Sequence, residues 1–186
     1  MIERLRTVPL RLLRPSALVD FVLFLACEKP AVRLTVDNED GLEALRKWCG
    51  RWGFDCAVDE EGFACVSSEL GTASRILEID RRADAHEIEL GRALGYPACC
   101  CGRVAEVGES EIDSYAAAVA RWSFEGAYRR INPIGYMSGR AFISHIPCSP
   151  ACDASLAIAD RAYRFVIEHA GEPVLSELYR SLVVSA

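Results

Sequence analysis

The chain has no repeated C-x-x-C pair, the spacing that most directly marks a zinc ribbon or finger. It has no glycine-rich phosphate loop of a familiar kind, so nucleotide binding has no positive support. It also lacks an excess of positive charge: 21 Lys and Arg stand against 27 Asp and Glu, a net charge of −6. That balance disfavours nucleic acid as a partner. The one local basic patch, Arg4, Arg6, Arg11 and Arg14 against a lone Glu3, reads as a solvated end of the chain.

A long apolar run is missing as well. The stretch "SALVDFVLFLACEKP", residues 16 to 30, is interrupted by Asp20, is too short to span a bilayer and lacks a good small-residue cleavage pattern before Cys27. It reads as a buried helix, not an export signal, and the expectation is a cytoplasmic protein without a membrane partner. In a reducing compartment nine cysteines, an odd number, are free thiols or metal ligands more naturally than structural disulfides.

What is present suits a folded chain: 51% of the residues are hydrophobic and 26% charged, far from the composition of disorder. At 186 residues it can bury a sizeable core without disulfides. No internal repeat or low-complexity segment is visible.

Residues 32–36, "VRLTV", alternate as a half-buried strand does. A helix follows, with Asn38 as cap, Leu42, Leu45, Cys49 and Trp52 at helical spacing, and Gly53 to close it. "FDCAVD" (54–59) and "FACVS" (63–67) alternate around an "EEG" turn, and "RILEI" (75–79) reads as a further strand. From about residue 81 the period changes to that of helices. Asp84 with Glu87 resembles a capping pair for a short helix ending at Gly95. Ser110 with Asp113 does the same for a helix whose face is Ile112, Tyr115, Ala116, Val119 and Trp122. Residues 131–148, with Pro133, Gly135, Gly139 and Pro147, read as an irregular but ordered loop, and helices over roughly 150–169 and 173–184 finish the chain. The expected fold class is α+β, with a small amino-terminal βαββ layer (1–80) packed against a carboxy-terminal helical domain (81–186) that carries a Cys/His site.

Periodicity accounts for four of the cysteines. Cys56 is in phase with Phe54 and Val58, Cys65 with Phe63, Cys49 shares its helix stripe, and Cys27 ends an apolar helix. Free cysteine behaves as a small buried hydrophobe, so core packing is the expectation for all four.

The other five lie in two proline-led clusters, "GYPACCC" (95–101) and "SHIPCSPAC" (144–152). Pro97 suits the first position of a helix, which puts Cys99 and Cys100 in its opening turn. Ser149 suits a cap and Pro150 a first position, which puts Cys152 in another opening turn. The positive end of a helix favours thiolate over thiol, and thiolate is the form that binds metal and attacks electrophiles. His145, Cys148 and Cys152 are spaced by three and four residues, and with Cys99 and Cys100 they make a set of four or five soft ligands. Such a set fits zinc, iron or an iron–sulfur cluster. Adjacent helical residues point about 100° apart, which leaves Cys101 as the bystander. Arg140, five residues before His145, could hold a small anionic substrate near the cysteines, with His145 as ligand or acid/base. His86 and His169 read as a solvated residue and a helix-end residue. Tyr96 reads as a core aromatic, with Glu89 and Ser155 as weaker site candidates.

"LGYPACC" together with "HIPCSPACDAS" resembles a prokaryotic family, uncharacterised in function, with a G-Y-P-x-C-C stretch followed by H-x-P-C-S-x-x-C-x-x-S. The resemblance covers about residues 86–160. It implies one composite site made of Gly95, Tyr96, Pro97, Cys99, Cys100, His145, Pro147, Cys148, Ser149, Cys152 and Ser155, and it implies no particular reaction.

Three functions are therefore open: a Cys/His metal-binding protein, with a metalloenzyme as its leading enzymatic form; a metal-free thiol redox or nucleophilic enzyme; and a noncatalytic interaction module clamped by a structural metal. A closed four-ligand site would be structural, whereas three ligands would leave a position for water or substrate.

Overall fold

The amino-terminal half is built on three short strands with helices on both faces. The computed structural model describes residues 1–26, 28–82, 86–122, 128–176 and 178, with no account of the side chains of 128 and 129. In chain order the elements are α1 (Ile2–Arg6), α2 (Ala17–Leu25), β1 (Ala31–Thr35), α3 (Glu39–Trp52), β2 (Asp55–Val58), β3 (Phe63–Ser67), α4 (Thr72–Asp80), α5 (Glu87–Ala93), α6 (Ala98–Val107), α7 (Ile112–Ala120), α8 (Tyr128–Ile131) and α9 (Asp153–Glu168). The fold is mixed helix and strand, consistent with α+β. None of the described helices is long and apolar enough to cross a membrane.

The sheet is antiparallel throughout, in the order β1-β3-β2, with Val32 opposite Val66 and Cys56 opposite Val66 on its other side. Side chains of successive strand residues point to opposite faces. Val32, Leu34, Ala64 and Val66 accordingly join the main core with α2 and α3, while Ala31 and Cys65 join a second cluster with Ala73, Ile76, Leu77 and Leu94. Cys49 and Cys65 are packed among these side chains, and burial pushes the Cys65 thiol up to about 12. Cys27 lies outside the described residues.

α3 begins and ends as its sequence predicts. The Asn38 side chain accepts the Gly41 N–H at 2.8 Å, and Gly53 closes the helix at φ 70°. Trp48, which the spacing argument passes over, is the most deeply set residue of its face after Leu45 and Cys49. It packs edge-on to Phe21 and stacks on Phe54.

The strand expected over 75–79 is a helix instead. Ala73, Ile76 and Leu77 are buried at spacings of three and four, the signature of one helical face, and a five-residue window could not separate that from alternation. The start of α4 is secured from another element, since the Asp55 carboxylate of β2 accepts the Ala73 N–H at 2.8 Å.

Other helix starts also differ from expectation. Asp84 lies outside the described residues. Ser110 caps nothing: a 3-10 turn, Glu109–Glu111, leads into α7 with no side-chain cap. The face of α7 is as expected, with Val119 buried and Ile112, Tyr115 and Ala116 half-buried. Residues 131–148 begin with the last residue of α8, hold a 3-10 segment, Pro133–Ser138, and otherwise lack regular structure. After α9 the structure describes a 3-10 turn, Pro173–Leu175, and most of the expected last helix lies outside the described residues.

The main core draws on both sides of residue 80. Phe142, Ile143, Ala159, Phe165 and Val166 pack in one cluster with Leu5, Phe21 and Leu45. The amino-terminal arginines are surface groups: Arg6 pairs with Glu172 at 2.6 Å, Arg14 with Asp37 at 2.5 Å, and Arg4 lies over the rings of Trp52 and Phe54.

Candidate metal centre

The first cysteine cluster is aimed by a glycine and a proline. Gly95 has φ 78°, and a Cβ there would sit 2.5 Å from Pro30 Cδ, so both conformation and space demand glycine. This close approach seats Tyr96 over Lys29, whose ammonium lies 5.0 Å from the ring centre. Gly95→Ala should therefore cost about 1–3 kcal/mol for the backbone strain alone, read as a lowered denaturant midpoint.

Pro97 is the residue before α6 and not its first, one position earlier than the sequence suggested. Its carbonyl accepts the N–H groups of Cys100 and Cys101 at 2.9 and 3.0 Å, so Cys99 and Cys100 do occupy the opening turn.

The second cluster is organised differently from the sequence reading. Ser149 does not cap α9. It opens a turn in which Pro150 takes the second position and the Cys152 N–H returns to the Ser149 carbonyl at 3.3 Å. Cys152 is itself the residue before α9. The turn folds Cys148 back toward Cys152, and the Tyr115 hydroxyl holds the Pro147 carbonyl at 3.2 Å from α7.

The two clusters meet. The sulfurs of Cys99, Cys100, Cys148 and Cys152 all lie within 4.8 Å of one another, a group that could hold a metal ion. Cys99 and Cys152 are 3.7 Å apart, Cys100 and Cys152 3.7 Å, and Cys99 and Cys100 3.9 Å. Cys100 and Cys152 form the buried side of the group, Cys148 is half-buried, and Cys99 faces outward. Cys101 points elsewhere: its sulfur lies 3.7 Å from the Tyr96 carbonyl, and it packs so closely on α5 that a Cβ on Gly91 would come within 2.5 Å of it.

His145 stands behind the sulfurs and outside the ligand group. Its Nε2 is 2.8 Å from Ser155 Oγ, and that hydroxyl lies 3.3 Å from the Cys152 sulfur and 3.4 Å from that of Cys100. Of the four or five ligands that the sequence offers, the four sulfurs are grouped, and the imidazole stands one residue removed. A fully buried serine intervenes, and the spacing of three and four residues could not reveal that. Burial, and then the nearby Lys29 charge, pulls the His145 pKa down to about 3, so the imidazole is neutral.

The sulfurs are not equivalent. Burial pushes Cys100 up, against hydrogen bonds from the Ser155 hydroxyl and the Cys148 N–H, and pushes Cys148 up to about 11. Burial acts the same way on Cys152, but hydrogen bonds from the side chain and backbone of Ser155 and from Cys148 and Cys100 outweigh it and bring it down to about 7. Cys152 ionises more readily than Cys100 or Cys148.

The remaining candidates are placed as follows. Arg140 is exposed on the loop and does not line the cleft beside His145. Glu89 is exposed and pairs with Arg82. His86 precedes α5 and is half-buried, and the His169 ring lies 2.8 Å from the Phe165 carbonyl at the end of α9. Tyr96 packs against the His145 ring, with centroids 5.3 Å apart.

A buried ionic group near the site escaped sequence reasoning. Lys29 donates to Asp20 at 2.7 Å and to Ser144 at 2.9 Å, and the Tyr136 hydroxyl donates to the other Asp20 oxygen at 2.6 Å. Asp20 inside an apolar run was the available signal, because a charge in the middle of a buried helix needs a partner. No family model matches this chain, and neither the comparison with curated proteins nor that with solved structures returned a match.

Proposed function

We propose that this protein binds a single zinc or iron ion through Cys99, Cys100, Cys148 and Cys152, and that the ion clamps the start of α6 to the turn before α9. One observation carries the reading. Four thiolates placed about 2.3 Å from a tetrahedral ion have edges of about 3.8 Å; the sulfurs of Cys99, Cys100 and Cys152 are 3.7, 3.7 and 3.9 Å apart, and that of Cys148 lies within 4.8 Å of all three. An iron–sulfur cluster would hold its cysteines at the outer corners of a larger body, which this compact set favours less.

Four sulfurs complete a tetrahedron and leave no position for water, so the ion's contribution is charge neutralisation and cross-linking. His145 and Ser155 orient the ligands. With the sulfurs as thiolates, the Ser155 hydroxyl donates to sulfur and the neutral imidazole donates its Nε2–H to Ser155 Oγ. Hydrogen bonds of this kind fix ligand orientation and charge, and Ser155→Ala should weaken metal affinity about 10–100-fold, measured by competition with a chromophoric chelator.

Elemental analysis and an absorption spectrum of protein purified without oxygen test the reading. The expected result is one ion per chain, colourless if zinc and coloured if iron. Metal-free protein with four titratable thiols at these positions would reject it, as would metal retained after all four cysteines are replaced.

A metal-free thiol enzyme is the second reading. It is favoured by the Cys152 thiol, drawn down to about 7, lying 3.7 Å from the outward-facing Cys99. The same analysis separates it from the first.

A further inference from the structure

A cleft of about 340 Å³, lined by His145 and reaching Cys100 of the sulfur group, lies beside the centre, and the metal reading does not use the rest of it. α5 and α6 supply its apolar walls through Leu90, Leu94 and Val104, and the ring of Tyr96 closes one side. Tyr136, Ser144 and His145 bring polar groups into the same space. A pocket with an apolar body and a few convergent polar groups is the usual form of a small-molecule site.

Charge excludes one class of ligand. Among the described residues, the one lysine or arginine lining the cleft is Arg33, and it is committed to Asp80 at 2.6 Å and to the face of Phe63 at 3.9 Å. Lys29, behind Ser144 and Tyr96, is neutralised by Asp20. An anion would enter apolar surroundings without a free cation to meet it, which is costly.

The hydrogen-bond directions define the head group. Lys29 Nζ donates to Ser144 Oγ, so the Ser144 hydroxyl proton can be given to a ligand. The Tyr136 hydroxyl donates to Asp20, so its oxygen can accept. If His145 gives its Nε2 proton to Ser155, as the metal reading requires, Nδ1 is an acceptor. The polar wall then offers one donor and two acceptors, and Glu87, which also lines the cleft, adds a carboxylate that disfavours an anion further.

We propose that this cleft binds a small uncharged molecule with a compact aromatic or aliphatic ring and a carboxamide-like head that both donates and accepts hydrogen bonds. The acceptor role of His145 rests on the metal reading; the cleft and its charge balance do not. A cavity of about 150 Å³ suffices for benzene, so the space here takes a ring with its head group.

The test uses benzamide as probe, with benzoate as its charged counterpart, on the full chain after metal analysis, followed by amide-resolved NMR titration. The expected result is benzamide binding at about 1 mM or tighter, in keeping with affinities per atom for fragments. Benzoate should bind at least tenfold more weakly, with shifts concentrated at Leu94, Val104 and Ser144. Val104→Trp, at a half-buried position, should fill the cleft and abolish binding while metal content and the circular dichroism spectrum stay unchanged. Binding lost in Val104→Trp but seen in a protein without metal would uphold the cleft and sink the metal reading. Folded, metal-loaded protein that ignores benzamide, prefers benzoate, or binds benzamide equally in Val104→Trp would overturn the proposal.

Discussion

Cys152→Ser should cost the protein its metal, whereas Cys101→Ala, two residues from Cys99 in the chain, should leave it in place. Zinc bound by four protein ligands is worth about 10–16 kcal/mol, so an even share is about 2.5–4 kcal/mol per ligand. That corresponds to about a 100- to 1,000-fold loss of affinity. Cys152 is the residue to change because it touches both Cys99 and Cys100 at 3.7 Å and receives the Ser155 hydroxyl at 3.3 Å. Since metal bound only by the folded state stabilises it, the thermal midpoint should fall by about 5–15 °C. Adding chelator to the wild type should reproduce the fall. Cys101 packs against Gly91 and the Tyr96 carbonyl, so its truncation should lower the midpoint by a smaller amount at unchanged metal content. Equal metal loss in the two variants would contradict the four-sulfur assignment.

Lys29→Met should destabilise the fold by about 3–5 kcal/mol, because it leaves the Asp20 carboxylate buried with, among the described residues, only the Tyr136 hydroxyl as partner. The lysine and aspartate side chains are 3% and 2% exposed, so solvent cannot take the missing partner's place. The double variant Asp20→Leu/Lys29→Met should recover much of the loss, because a buried pair exchanged for apolar groups of similar volume is often neutral. A double-mutant cycle by denaturant unfolding measures the coupling.

The pair also sets an alkaline limit. Burial alone would lower the Lys29 pKa, but the Asp20 carboxylate, the Tyr96 hydroxyl and the hydrogen bond to Asp20 raise it above the ordinary value. The folded pKa exceeds the unfolded one, so this stabilisation is fully present below the ordinary lysine range, about 10.4, and is lost as pH rises through the folded value. Unfolding midpoints should stay flat in this contribution through neutral pH and decline above about pH 10. The decline should be shallower in the double variant, where the contribution of the pair is absent.

Strong local signals carried the readings that held. Asn38 and Gly53 bound α3 because a cap and a left-handed stop act within one turn of chain. β2 and β3 are set by the turn between them as well as by alternation, and their register places Cys56 and Cys65 on opposite faces. Weak local signals misled. "RILEI" alternates over only five residues, and α4 is held by Asp55 from another strand. Ser149 and Pro150 read as a helix start, yet the same pair opens a turn, and the helix begins only after Cys152, whose backbone is extended and whose carbonyl accepts the Leu156 N–H.

The sequence by itself determined the ligand chemistry: two thiol clusters led by proline, with the bystander cysteine already separable by the 100° step of a helix. Whether those clusters meet, and which groups stand between them, was decided by the tertiary structure. The convergence depends on a shared core that draws α2, the sheet, the 141–145 segment and α9 together, and on Gly95 lying against Pro30. It was decided there too that His145 meets Ser155 and not a sulfur, because a difference of one residue's reach is set by packing and not by spacing along the chain.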